Sequence, residues 1–243
     1  MWAKTAGRTL AALDGAPSED DAFDVLHGYA RVLGAELLSY HFIQPRVAGP
    51  AGTQVVRAVG FPDDWVAQYT ERAYFEIDPI TAYASYQTRP VRWSAVLERV
   101  NLTQEQQVFI AALRDWLDPG DGLAIPAFGP SGRHGYVGIG SRKPLERWGP
   151  AQMRTVQAVC EAFHLRVCEL RLAGLPKDFD LDQRERIILS GMSRGWTDPM
   201  IGASVNLRPE QLGSAIGRIL AKMSVQDRPS AVLRAEALGL VEG

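Results

Sequence analysis

FPDDWVAQYTERAYFEIDPITAYASYQTRPVRW, residues 61–93, is the stretch on which the reading of this chain turns. Pro62 followed by Asp63 and Asp64 predicts a helix start, because proline presets the first-turn φ and carboxylates suit the positive end of a helix. Trp65 and Tyr69 are one turn apart and so share a face of that helix. Asp78 before Pro79 predicts a second helix start, and Trp93 follows across a short loop. Taken singly, each has a plain structural role: an aromatic pair one turn apart fills a core, and Asp before Pro caps a helix. Taken together they put two tryptophans, a tyrosine and a carboxylate within one compact run.

Outward from this run the chain divides into two kinds of pattern. On the N-terminal side, SEDDAFDVLHGYARVLG carries Phe23, Leu26, Tyr29, Ala30 and Leu33 at helical spacing and stops on Gly34. AELLSYHFIQ and TQVVRAVG read as paired strands joined by the Pro- and Gly-bearing PRVAGPAG. On the C-terminal side, TQEQQVFIAALRDWL reads as a helix with Thr103 and Gln106 set as a capping box. GLAIPAFGPSGRHGYVGIGS reads as two more strands. The longest helical pattern then runs from Gly149 to Gly174, with Met153, Val156, Cys160, Phe163, Val167 and Leu170 as a heptad-like seam suited to the domain's own sheet or to a second subunit. AGLPKDFD breaks the pattern, and everything from Leu181 to Leu240 reads as short helices with tight turns. The expected fold class is α+β: a mixed domain over residues 1–172, a linker over 173–180 and a small all-helical domain over 181–243.

Composition narrows the function classes. The 243 residues are 46% hydrophobic, enough for one large core and one small one. A net charge of −2 from 26 basic and 28 acidic residues gives no global sign of a polyanionic partner. Cys160 and Cys168 lie eight residues apart in a helical pattern, so their backbones stand about 12 Å from each other, too far for a disulfide. Two thiols suit a reducing cytoplasm, and no signal-like or membrane-spanning apolar run is present. The four histidines lack metal-ligand spacing, GYVGIGSRK lacks the phosphate-loop arrangement, and no serine stands in a nucleophile elbow. No cofactor, metal or catalytic group is expected, and the chain is not read as an enzyme.

Trp65, then Tyr69, then Asp78-Pro79, then Trp93, with Gly122 before a downstream strand, resembles the ligand-binding domain of the LuxR-type quorum-sensing regulators. The C-terminal segment resembles the same family's helix-turn-helix: LDQRERIILSGMSRGWTDPMIG through Glu185, Leu189 and Gly195, and LAKMSVQDR through Lys222, Met223, Val225 and Arg228. The resemblance implies an α/β/α sandwich that encloses an N-acyl homoserine lactone. It implies that Trp65 donates its indole N–H to the lactone carbonyl, that Asp78 accepts from the ligand amide, and that Tyr69 and Trp93 wall the lactone. Two departures stand out. Phe61 replaces a tyrosine that often serves the acyl carbonyl, and Gly138 replaces a Ser or Thr aimed into the pocket. Tyr136, Gly138 and Gly140 share one strand face, so glycine is expected to leave extra room there and Tyr136 to restore a hydroxyl.

For the second domain, WTDPMIGASVNL is read as the first helix of the helix-turn-helix with Asp198 as its cap. RPEQLGSAIGRILAKM, opened by Pro209, is read as the recognition helix, with Leu212, Ala215, Ile216, Ile219 and Met223 inward. Arg208, Gln211, Ser214, Arg218 and Lys222 are the expected contacts to double-stranded DNA, made by a homodimer. From Leu175 onward there are nine Lys or Arg and nine Asp or Glu, a neutral balance unusual for a domain that neutralises phosphates. Gly213, Gly217 and Ala221 leave a bare stripe along the same helix. The expected function is a ligand-responsive transcriptional regulator; the alternative is an antagonist impaired in DNA binding that pairs with another regulator.

Overall fold

The computed structural model describes residues 2–43, 55–117, 120–130, 133–142, 148–173 and 179–241. The connection read in PRVAGPAG and most of the linker lie outside these residues. The chain divides into two compact units, one holding Met1–Ile43, Gln54–Gly129 and Arg133–Leu170, the other including Arg171–Gly243.

The first unit is built on a five-stranded antiparallel sheet in the order β2-β1-β5-β4-β3. Its strands are β1 (Leu37–Ile43), β2 (Val55–Val59), β3 (Val91–Arg92), β4 (Asp121–Phe128) and β5 (His134–Ser141). Helices α1 (Trp2–Asp14), α2 (Glu19–Val32) and α7 (Pro150–Ala173) cover one face. Helices α3 (Asp63–Glu71), α4 (Pro79–Ala84), α5 (Trp93–Leu97) and α6 (Gln104–Leu117) cover the other. Period-two alternation divides each strand between the two layers. Leu38, Tyr40 and Phe42 of β1 join Phe23, Leu26 and Phe163 in the first core, while Leu37 joins Trp65, Trp93 and Phe109 in the second. The seam of α7 belongs to the first core, where Val156, Cys160, Phe163 and Val167 are buried. It faces the chain's own sheet, and both cysteines remain buried thiols.

The expected elements between residues 18 and 173 are present, and the differences have local causes. The helix opened by Pro62, read in the sequence as PDDWVAQYTERAYF, stops at Glu71, because Ala73 takes a left-handed conformation (φ 50°) and a short 3-10 turn, Tyr74–Glu76, follows. Helix α1 was not expected; Ala6, Thr9 and Leu13 form its buried stripe. Thr103 and Gln106 do cap α6 reciprocally, Gln106 N–H donating to the Thr103 hydroxyl at 3.2 Å and Thr103 N–H to Gln106 Oε1 at 3.1 Å.

The second unit has helices α8 (Gln183–Ser193), α9 (Asp198–Val205), α10 (Pro209–Lys222) and α11 (Arg228–Ala237) around Ile188, Leu189, Ile201, Leu212, Ile216 and Ile219. Asp182 and Glu185 cap α8 reciprocally at 2.8 and 2.9 Å. Asp198 is not a cap: Thr197 holds that position, and Asp198 opens α9 while its two carboxylate oxygens accept from Nη1 and Nη2 of Arg228 at 2.6 and 3.0 Å.

Candidate functional site

A cavity with about 520 Å³ of empty space, mouth included, lies between the sheet and the layer of α3 to α6. Trp65, Tyr69, Ile80, Trp93, Phe109 and Tyr136 of the second core line it, so the cavity is set into that core. Val56, Ala58, Phe61, Val66, Ile80, Phe109 and Leu113 supply apolar walls. The polar groups are few and buried: Ser39 and His41 from β1, Trp65 and Tyr69 from α3, Asp78 at the start of α4, Trp93 at the start of α5 and Tyr136 from β5. An apolar cavity with a small set of placed polar groups is the ordinary form of a small-molecule site.

Asp78 caps a helix and also lines the cavity, so its capping role does not take it out of the site. Its Oδ1 accepts from Ile80 N–H at 2.8 Å and Thr81 N–H at 3.3 Å, capping α4. Its Oδ2 accepts from the Tyr69 and Thr81 hydroxyls, both at 2.9 Å, and the carboxyl lines the cavity. Burial raises its pKa above the ordinary carboxylate value, while these donors pull it back down. The Tyr69 phenol is held well above its usual range by burial and by the same carboxylate. Trp65 packs on Phe109 with ring centroids 5.8 Å apart, and its indole N–H has no hydrogen-bond partner among the described residues.

The three glycines Gly122, Gly138 and Gly140 do not enlarge the cavity, contrary to the expectation for the last two. Their bare backbone is the seat of Trp93: a Cβ at Gly122 or Gly140 would stand 2.6 Å from the indole, and one at Gly138 3.3 Å from it. The ring lies flat on the sheet and donates from Nε1 to the Tyr136 hydroxyl at 3.0 Å. Gly138 itself does not line the cavity, whereas Phe61, Trp65, Tyr69, Asp78, Trp93 and Tyr136 all do.

Sequence reasoning missed Ser39 and His41. The signal was available in LLSYHFI, where two polar residues share one parity of a strand whose other parity, Leu38, Tyr40 and Phe42, is wholly apolar or aromatic. His41 stands between Tyr69 and Tyr136 with edge-to-face ring contacts at 5.5 and 5.0 Å, and burial pushes its pKa down to about 3, leaving a neutral imidazole.

In the second unit, Arg208, Gln211, Ser214 and Arg218 lie exposed on α10, opposite the buried Leu212, Ala215, Ile216 and Ile219. Lys222 is turned inward: its ammonium donates to the buried Glu185 carboxylate at 2.7 Å and to the Asp180 carbonyl at 2.6 Å. Gly213 and Gly217 are exposed, and a Cβ at either would meet nothing within 4 Å. Among the described residues no cluster of His, Cys, Asp and Glu could hold a metal, and no helix is long and apolar enough to cross a membrane.

Residues 18–167 match the family described as the autoinducer binding domain. The chain is similar to y4qH of Sinorhizobium fredii, named as an HTH-type transcriptional regulator, at 24% identity over 97% of this chain and 73% of that protein. It is similar to the transcriptional activator protein AhyR of Aeromonas hydrophila at 23% identity over 84% and 81% of the two chains. The crystal structure of Escherichia coli SdiA shares the fold at a TM-score of 0.74 over 98% of both chains with 16% identity, and SdiA in complex with octanoyl-rac-glycerol does so at 0.72 over 98% of this chain and 96% of that one with 15% identity. Matched to the autoinducer binding domain over more than half its length, the chain belongs to the LuxR-type quorum-sensing regulators, transcriptional regulators that answer to a small-molecule signal.

Proposed function

We propose that the first unit binds an amide-bearing acyl signal, an N-acyl homoserine lactone or an unusual analogue, and that the protein then binds promoter DNA as a homodimer in the cytoplasm through a helix-turn-helix in the second unit. The domain division is residues 1–172, 173–180 and 181–243. The observation that carries the ligand reading is the unpartnered indole N–H of Trp65, lining the same apolar cavity as the buried carboxylate of Asp78. The indole N–H is open to the cavity rather than sealed in the core, so a ligand carbonyl can accept from it, a neutral hydrogen bond worth about 0.5 to 1.5 kcal/mol. Asp78 then accepts from the ligand amide, Tyr69 and Trp93 wall the lactone, and Phe61 with the remaining apolar wall takes the acyl chain. That SdiA, of the same fold, holds an octanoyl compound supports an acyl chain in this cavity.

Asp78 already accepts four hydrogen bonds, about the number a carboxylate can take, so the ligand amide has to displace one, and the Tyr69 hydroxyl is the donor best able to turn away. Thermal stabilisation by a panel of acyl homoserine lactones tests the reading. At least one member should raise the melting temperature of the wild-type chain, and Trp65→Phe should weaken that member's binding about tenfold, with ligand-free melting of the variant read alongside to register the packing it loses against Phe109. A panel without effect on the wild type would overturn it.

On DNA, Arg208, Gln211, Ser214, Arg218 and Lys222 remain the proposed contacts, with Lys222 first having to leave Glu185. That ion pair, with the neutral charge balance after Leu175, favours the second reading, an antagonist that pairs with another regulator. Binding of purified protein to promoter DNA at low salt, with ligand, separates the two: a measurable complex supports the regulator, and none supports the antagonist.

A further inference from the structure

The sheet side of the cavity carries two hydroxyls whose hydrogens the wall residues leave uncommitted. Ser39 of β1 pairs in register with Gly138 of β5, lines the cavity and has no hydrogen-bond partner among the described residues. Tyr136, two residues before Gly138, accepts from Trp93 Nε1, and its own hydrogen has no acceptor among the described residues. A side chain at Gly138 would collide with Ser39 Oγ and come within 3.1 Å of the Tyr136 hydroxyl, so both groups flank one point above the bare Gly138 backbone. Glycine there is needed for the pair to exist: any Cβ would push Ser39 Oγ out of its place.

We infer that Ser39 and Tyr136 together hold the acyl carbonyl oxygen of the signal, making Ser39 a specificity-determining residue of this pocket. The inference rests on the reading of the cavity as an acyl-amide site and goes beyond it by naming the donors. A trans amide directs its N–H and its carbonyl to opposite sides. A ligand whose N–H meets Asp78 on the helical side therefore turns its carbonyl to the sheet, where these two hydroxyls stand. An sp² oxygen has two lone pairs and can accept from both. Phe61, on the helical side, has no hydroxyl to compete for that oxygen. The pocket thus suits acyl compounds with a carbonyl next to the amide nitrogen and discriminates against analogues with a methylene there.

The test uses the full chain and N-octanoyl and N-dodecanoyl homoserine lactones as probes, with dissociation constants from titration calorimetry. Ser39→Ala should weaken the better probe roughly five- to tenfold, the effect of one neutral hydrogen bond. Gly138→Ala, which keeps Ser39 but displaces its hydroxyl, should weaken it to a similar degree. The exchange Ser39→Gly with Gly138→Ser moves a hydroxyl across the register and should bind more tightly than Ser39→Gly alone. Ligand-free melting of each variant reports whether it folds, and the exchange removes the ambiguity of a merely destabilised strand. If the wild type binds a probe while Ser39→Ala and Gly138→Ala bind it equally well, the inference is overturned and the acyl-amide reading stands. If the wild type binds neither probe, the inference falls, and the acyl-amide reading is left to the wider panel.

Discussion

His41 is held neutral where an exposed histidine would be half-protonated near pH 6.5, because its ring is enclosed between Tyr69 and Tyr136. The sign of the pH effect follows from its depressed pKa. Below 6.5 the unfolded chain takes up a proton that the folded chain refuses until about 3. Stability from this group is therefore complete above pH 6.5 and is lost as pH falls towards 3. Between pH 7.5 and 5 the loss should be about 2 kcal/mol. Asp78, with its pKa raised, acts in the other direction, so the comparison with His41→Gln, which leaves Asp78 in place, is what isolates the histidine's share. Urea unfolding of the wild type at the two pH values should show that difference, and His41→Gln should remove most of it; equal slopes in both proteins would refute the assignment. The residue scale is also where the sequence was most informative. Six of the seven pocket residues singled out, all except Gly138, line the cavity, because large aromatics and a lone carboxylate at helix starts leave few other places to go. Gly138 and Gly140 were misread for a physical reason: the space above a glycine belongs to whichever side chain folds over it, and Trp93 arrives from another strand end.

At the scale of elements, strong periodicity was legible and conformational exceptions were not. The α7 seam, the two strand pairs and α10 with its buried face all follow from apolar spacing. The end of α3 at Glu71 depends on a left-handed Ala73, and β3 has only two residues held by pairing to β4, so neither leaves a local pattern. The glycines of α10 follow from the same logic. A helical glycine costs about 1 kcal/mol relative to alanine when nothing requires its bareness. At Gly217 a Cβ would enter open space, whereas at Gly202 of α9 it would stand 2.9 Å from the Leu207 carbonyl oxygen. Gly217→Ala should therefore stabilise the helical unit by roughly 0.5 to 1 kcal/mol, and Gly202→Ala should destabilise it. Chemical denaturation followed by circular dichroism checks both, and a destabilising Gly217→Ala would mean that the bare stripe is already in contact with something.

For the molecule as a whole, charge decides how DNA could be held. The segment after Leu175 is neutral, and two of its cations are committed internally, Lys222 to Glu185 and Arg228 to Asp198. On the exposed face of α10 this leaves Arg208 and Arg218, of which Arg218 stands 3.7 Å from Glu185 but is 61% exposed. A dimer would then bring about four such cations to the phosphates, and the logarithm of affinity should fall with the logarithm of salt at a slope of about −4. Gly213 lies on the same exposed face with open space around it, so a lysine fits there without disturbing the helix core. Gly213→Lys adds one cation per protomer and should steepen the slope to about −6 while strengthening binding at low salt. Titration of promoter DNA binding against sodium chloride measures both quantities. A slope and affinity unchanged by the substitution would show that the exposed face of α10 does not meet the phosphates, and would leave that face available for a protein contact instead.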